Sequence, residues 1–325
     1  MVFKIDFAKA YDSVSWDYLD TMLLFMGFGY KWRQWIRNCL TSTRSSVLIN
    51  GSPTCEFNIG RGLRQGDPLA PFLFILVMEG LHVFVEDAIE NGLYSGIRLK
   101  TLEISHFFYA DDAIFLGQWT ERNIKNIVML LKVFHSVSGL DINISKCSIL
   151  GVGVSFDEVS RFANFTGCKP DRLPFTYLGI PVGANMSRVR HWDKILGKFQ
   201  KRLSNWKRNL LSIGGRSTLV SSVLGSLASY FFSMFPVPVK IVKTLESYRS
   251  RFFWGFKEND KKIPWIKWNQ VLASKESGGL GIESLLAMNK ALLYKWRWRI
   301  VSSGGDAIWA KIVKAIHGSE ALGIV

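Results

Sequence analysis

Long hydrophobic runs are missing from this 325-residue chain. Its most apolar stretch, Leu69 to Met78, falls well short of the roughly 20 residues that cross a bilayer, which excludes a spanning helix there. Asp6, Lys9 and Asp12 interrupt the opening segment where a secretory leader carries an apolar core, so the chain reads as soluble and not secreted. Cysteine is scarce. Cys39, Cys55, Cys147 and Cys168 stand without a C-x-x-C pair or histidines at ligand spacing, which argues against both zinc and a disulfide framework. They read as ordinary thiols of a reducing compartment. The sequons at Asn50-Gly51-Ser52 and Asn164-Phe165-Thr166 then have no route to a sugar. Repeats and low-complexity tracts are absent as well.

What is present is a globular composition, 48% hydrophobic, with a formal charge of +15. That charge is unevenly spread. Residues 1–185 carry 17 Lys and Arg against 18 Asp and Glu, and residues 186–325 carry 24 against 8, for net charges of −1 and +16. A field of that sign attracts polyanions such as nucleic acid or an anionic membrane surface, and it also aids solubility.

Punctuation along the chain predicts an α+β architecture up to about residue 185. Val2 to Ile5 is a short strand candidate. Ser15 caps a helix carrying Leu19, Met22, Leu23 and Met26 and stopping at Gly27, and a second helix spans Lys31 to Leu40. Arg44 to Ile49 and Thr54 to Ile59 flank Asn50-Gly51, a pair suited to a tight hairpin turn. Asp67-Pro68 opens a helix that ends near Glu90, before Asn91-Gly92. His106 to Tyr109 and Ala113 to Leu116 form a second hairpin with Asp111 and Asp112 at its tip. A helix from Asn123 to Ser136 and strands near Asp141 to Leu150 and Tyr177 to Val182 follow. Beyond Asn185 the pattern is helical, punctuated by Gly214-Gly215 and Pro236-Val237-Pro238.

Adjacent acids at the end of apolar strands are costly unless a cation is bound, because like charges a few ångströms apart resist joint ionisation. Hard oxygen ligands suit Mg²⁺, and two such ions on shared carboxylates can activate a 3′ hydroxyl and stabilise departing pyrophosphate. A solvated turn is the ordinary fate of an Asp-Asp pair. The run Phe107-Phe108-Tyr109-Ala110-Asp111-Asp112-Ala113-Ile114-Phe115 weighs against it here.

With these residues the chain resembles the reverse transcriptases of non-LTR retrotransposons, particularly the LINE-type elements of plants. Lys4-Ile5-Asp6-Phe7-Ala8-Lys9-Ala10-Tyr11-Asp12-Ser13-Val14 is similar to the first palm motif, Arg61-Gly62-Leu63-Arg64-Gln65-Gly66-Asp67-Pro68-Leu69-Ala70-Pro71 to the second, and Tyr109-Ala110-Asp111-Asp112 to the Y/F-x-D-D hairpin. Gly139-Leu140-Asp141-Ile142-Asn143 with Lys146, and Tyr177-Leu178-Gly179-Ile180-Pro181, resemble the next two. The resemblance implies a right-hand palm over 1–185, an antiparallel sheet packed on helices, followed by a helical thumb over 186–256 and a C-terminal helical extension over 257–325. It implies catalytic, metal-holding Asp6, Asp111 and Asp112, with Lys146 beside the pyrophosphate. Phe7, Tyr11, Gln65 and Gly66 would meet the nucleotide, and Arg61, Arg64, Leu178 and Gly179 the nucleic acid. Two Mg²⁺ ions, with Mn²⁺ as a substitute, deoxynucleotides, an RNA template, a DNA primer and their RNA/DNA duplex are the implied cofactors and partners. The implied site of action is nuclear. Relatives carry fingers upstream of the first palm motif, so the chain is expected to be a fragment. A non-catalytic remnant that binds nucleic acid through its basic helices is the competing expectation.

Tyr11 stands where a ring would lie under the sugar and exclude a 2′ hydroxyl, and a packing tyrosine is its bland alternative. From Arg188 to Arg208 the helical period puts Val189, Trp192, Ile195, Leu196, Phe199, Leu203 and Trp206 within an arc of roughly 120°. Arg190, Lys194, Lys198, Lys201 and Arg208 fall opposite. Such a stripe suits a phosphate backbone, and a solvated amphipathic helix gives the same pattern. Eight of the twelve tryptophans follow residue 186, and core packing is their default reading.

Overall fold

The computed structural model describes residues 1–100, 102–204, 211–256, 263–302 and 307–318. The chain divides into two compact units, Met1–Leu173 and Pro174–Val325. Contacts thus group the hairpin of residues 175–182 with the second unit.

In the first unit the strand Val2–Ala8 alternates between buried and half-buried residues. Phe3, Ile5 and Phe7 enter the core while Lys4 and Asp6 take the other face, as a period of two requires. This strand is central. Asp112–Leu116 pairs antiparallel along one side, in register from Val2 with Leu116 to Asp6 with Asp112. Ser148–Leu150 and Asp141–Ile142 pair along the other side, and His106–Tyr109 and Lys169–Pro170 form the edges. The helices Trp16–Phe25, Ala70–Glu90 and Glu121–Ser138 contribute Leu19, Leu23, Phe74, Val77, Leu81, Ile127, Leu131 and Phe134 to the same core as Phe3, Ile5, Phe115 and Ile149. Each such side chain, fully buried, contributes about 1.5–3 kcal/mol.

Helix ends follow local chemistry. The Ser15 hydroxyl accepts the Tyr18 amide at 3.3 Å, and the helix it opens gives way to Gly27 at φ +82°. Asp67 accepts the Leu69 amide at 2.8 Å, and the long helix stops before Asn91-Gly92. Asn50 and Gly51, at φ +50° and +84°, turn a hairpin whose ladder splits into Leu48–Ile49 with Ser52–Pro53 and Arg44–Ser45 with Phe57–Asn58. Beyond the sequence expectations lie the short helix Ala10–Ser13, the hairpin Ile97–Leu99 with Leu102–Ile104, the helix Phe156–Thr166 and the edge strand Lys169–Pro170.

The second unit has its own core, built on Trp192, Ile195, Phe199, Phe231, Phe232, Ile241, Leu245, Phe252 and Leu285. The expected basic helix is a 3-10 turn, Val189–Trp192, leading into an α-helix, Asp193–Ser204; Trp206 and Arg208 lie outside the described residues. Gly214-Gly215 does not separate helices. It occupies the first turn of Ile213–Leu219, where the Ser212 hydroxyl accepts the Gly215 amide at 3.1 Å and steadies two poor helix formers. Pro238 caps Val239–Phe253. Within that helix Arg249 is buried against Glu246 at 3.0 Å, and the same carboxylate accepts the Trp268 indole and the Leu285 amide, each at 2.8 Å. The core reading fails for two tryptophans, since Trp265 and Trp298 are 93% and 71% exposed. Among the described residues no helix is long and apolar enough to cross a membrane.

Candidate active site

Asp6 and Asp112 face each other across adjacent antiparallel strands, so their side chains leave the same face of the sheet. Tyr109 pairs with Asp112 around a two-residue turn of Ala110 and Asp111. Ala110 sits at φ +50° there, a conformation that costs a non-glycine residue about 1 kcal/mol and that tightens the tip bearing the acid pair. The backbone of Asp6 is held from the far side. Its carbonyl accepts the Asn143 amide at 2.8 Å, and its own amide meets the Cys147 sulfur at 3.5 Å. Lys146, in the same turn, brings Nζ to 3.8 Å from Asp6 Oδ1.

Burial pushes the Asp112 carboxyl above its ordinary pKa; Lys4 opposes that rise, while the charges of Asp111 and Asp6 add to it. Three carboxylates gathered on a partly solvated sheet end, two of them adding to the shift of Asp112, are the donor set that suits a hard divalent cation. They are not drawn into one tight cluster. Among the described residues, the three-ligand group whose donor atoms all come within 4.8 Å of one another is His82, Glu86 and His106.

Tyr11 lies beside this site. Its ring stacks on Phe74 at 4.6 Å and 16°, and burial, then the charge of Asp111, raise the pKa of its hydroxyl. The Tyr11 carbonyl accepts the Leu63 amide at 2.6 Å, and the Val14 carbonyl accepts the Gly62 amide at 2.8 Å. These bonds fasten the second motif loop onto the turn after Asp6. Arg61, Arg64 and Gln65 are exposed on that loop and line a cavity of about 500 Å³ together with Asp12, Trp16 and Leu40. Gly66 is exposed, with φ +89° and open space around its α-carbon.

The remaining expected residues divide. Phe7 is buried in the core, 6% exposed, because strand alternation turns it away from Asp6; only its backbone is left for a nucleotide. Leu178 and Gly179, at φ +48° and +80°, form the turn between Phe175–Tyr177 and Ile180–Val182 in the second unit. Arg190, Lys194, Lys198 and Lys201 are exposed opposite buried Trp192, Ile195 and Phe199. Arg208 is outside the described residues. Two side chains were overlooked. Lys4 shares the Asp6 face by simple alternation and opposes the Asp112 shift. Phe74 supports Tyr11 from a helix more than sixty residues away, which no local signal could announce.

The reverse transcriptase (RNA-dependent DNA polymerase) family profile matches residues 1–182. A protein of Arabidopsis thaliana named for ribonuclease H is 32% identical over 40% of this chain and 21% of its own length. The Pol polyprotein from the type-1 retrotransposable element R2 of Popillia japonica is 26% identical over 49% of this chain and 26% of its own length. The 149 kDa protein of transposon TX1 from Xenopus laevis is 24% identical over 86% of this chain and 21% of its own length. The chain thus spans between a fifth and about a quarter of these curated relatives. With three palm motifs assembled around one sheet end and a profile match over more than half its length, the chain belongs to the reverse transcriptase family, on its non-LTR retrotransposon side.

Proposed function

We propose that the chain performs RNA-directed DNA synthesis for a non-LTR retrotransposon, adding deoxynucleotides to a primer 3′ hydroxyl on an RNA template. The observation that carries the reading is the register that sets Asp6 opposite Asp112, with Asp111 at the adjoining turn. Reverse transcriptases generally use divalent metals, and these three carboxylates would hold two Mg²⁺ ions, or Mn²⁺. Metal held by these residues would supply activation of the 3′ hydroxyl and charge stabilisation for the leaving pyrophosphate. The protein supplies the rest. Lys146 is close enough to Asp6 to meet the pyrophosphate charge and donate a proton to it. Tyr11, backed by Phe74, presents a fixed wall to the sugar. Gln65 and Gly66 face the nascent base pair, Arg61 and Arg64 the template phosphates, and Leu178 and Gly179 the primer strand. Arg190, Lys194, Lys198, Lys201 and Arg208 grip the duplex without reading its sequence. A nuclear site of action belongs to the same proposal.

The test offers purified protein an RNA template, a DNA primer, deoxynucleotides and Mg²⁺. Extension is expected, and Asp111→Ala, an exposed change at the turn, should reduce it by about a thousandfold while leaving duplex binding intact. Duplex binding with no extension by the unaltered chain under either metal would leave a nucleic-acid-binding protein and overturn the polymerase reading.

A further inference from the structure

The scattered histidines gave no metal-ligand spacing in the sequence, yet folding brings two of them together. His82 and Glu86 are one turn apart on the helix Ala70–Glu90, so their side chains share a face. His106 opens the strand that ends at Tyr109, next to the acid pair. His82 Nδ1 lies 2.8 Å from His106 Nε2, and the donor atoms of His82, Glu86 and His106 all fall within 4.8 Å of one another.

A second observation fixes which atom of His106 faces the cluster. Its Nδ1 is 2.8 Å from the hydroxyl of buried Ser105. With the Nδ1 proton assigned to that contact, Nε2 keeps its lone pair toward His82 and Glu86. Orientation of a ligating imidazole through its other nitrogen is the ordinary support of a metal-binding histidine. The His106 ring is also braced by stacking on Phe108 at 4.5 Å.

We propose that His82, Glu86 and His106 form a zinc-class metal site that pins the hairpin of Asp111 and Asp112 to the long helix. Two imidazole nitrogens and one carboxylate oxygen suit Zn²⁺, with water in the fourth position. The all-oxygen aspartate set suits Mg²⁺ instead, so the two sites are chemically separate. Ligands about 2.0–2.1 Å from a tetrahedral ion stand roughly 3.3–3.4 Å apart. The two histidine nitrogens therefore open by about half an ångström to admit an ion, a small rotation for half-buried His82. Glu86 is exposed and free to swing inward. The proton between the rings moves to His82 Nε2, which leaves both facing nitrogens with a lone pair for the ion. This site does not depend on the polymerase reading, because none of its ligands touches the proposed reaction.

The full chain, stripped by chelator and held in excess Mg²⁺ to occupy oxygen-only sites, is titrated with Zn²⁺ against a chromophoric chelator and with Co²⁺ by visible absorption. One equivalent should bind, and Co²⁺ should give the intense bands of a tetrahedral ion. Thermal melting should shift upward with Zn²⁺. His82→Gln, on the helix surface, should weaken binding by about 10–100-fold and abolish both the bands and the shift. Glu86→Gln should weaken it less, and Asp111→Asn should leave it unchanged. His106→Gln can disturb the hairpin, so circular dichroism checks its fold before its affinity is read. Absence of binding by the folded chain, or binding and a Co²⁺ spectrum that His82→Gln leaves unaltered, overturns the site.

Discussion

Tyr11 is fixed by packing at the place where it is proposed to meet the sugar of a nucleotide. Its ring is half-buried and stacked on Phe74, which holds it in place, and burial, then the charge of Asp111, raise the pKa of its hydroxyl. Truncation to alanine should therefore open the space under the sugar. For Tyr11→Ala the preference for deoxynucleotides over ribonucleotides in primer extension should fall by roughly 10–200-fold, while Tyr11→Phe keeps it. Equal preference in all three proteins would make Tyr11 a packing residue only. Gly62 and Gly66 give a contrast at the same scale. Both stand at φ +89°, but a Cβ on Gly62 would lie 2.5 Å from the Asp12 carbonyl oxygen, whereas one on Gly66 meets nothing within 4 Å. Gly66→Ala should cost only the backbone strain, about 1 kcal/mol. Gly62→Ala adds a clash with backbone that cannot swing aside, for a total of about 2–4 kcal/mol. Urea unfolding of the two variants tests the difference; equal losses would mean that the Asp12 turn yields.

At the scale of elements, legibility tracked how local the cause was. The helix start at Ser15, the stop before Asn91 and the Asn50-Gly51 turn each rest on one or two neighbouring residues, and each is found where the sequence puts it. The Asp111-Asp112 hairpin was legible for the same reason, and alternation along Val2–Ala8 gives Asp6 its face. The helix Phe156–Thr166 could have been found, because Ser155 followed by Glu158 is a capping pattern and Gly167 closes the far end at φ +75°. Glu158 turns out to accept the Trp119 indole at 3.0 Å rather than complete the cap. The hairpin of residues 97–104 carried no turn signature, and Lys100 sits at φ +54° in it. Phe74 beneath Tyr11, His82 beside His106, and Glu246 with Trp268 and Leu285 are long-range meetings set by helix packing. No spacing rule reaches them. The exposure of Trp265 and Trp298 is of that kind too, since aromatic content alone does not say which ring finds a core.

For the whole molecule, the decisive property is that the proposed chemistry and the basic charge lie in different units. No charged residue falls between 174 and 185, so the net charges of −1 and +16 belong to Met1–Leu173 and Pro174–Val325 respectively. The acidic site is proposed to act on a polyanion, and a near-neutral first unit gives that polyanion little electrostatic reason to stay. Retention must come from the second unit, where Lys194 and Lys198 are exposed on a helix whose other face is buried. Cations released from phosphates on binding make affinity fall with salt, by a slope near 0.9 per phosphate contacted on duplex DNA. Replacing both lysines with glutamine should lower the slope of log affinity against log salt by roughly 1.5–2, evenly across duplex sequences. Replacing exposed Lys100 and Lys132 of the first unit removes the same charge and should leave the slope unchanged. Fluorescence anisotropy of a labelled primer–template duplex over a series of potassium chloride concentrations measures both. An unaltered slope in the Lys194 and Lys198 double variant would mean that this face is merely solvated, and that the basic excess serves solubility rather than grip.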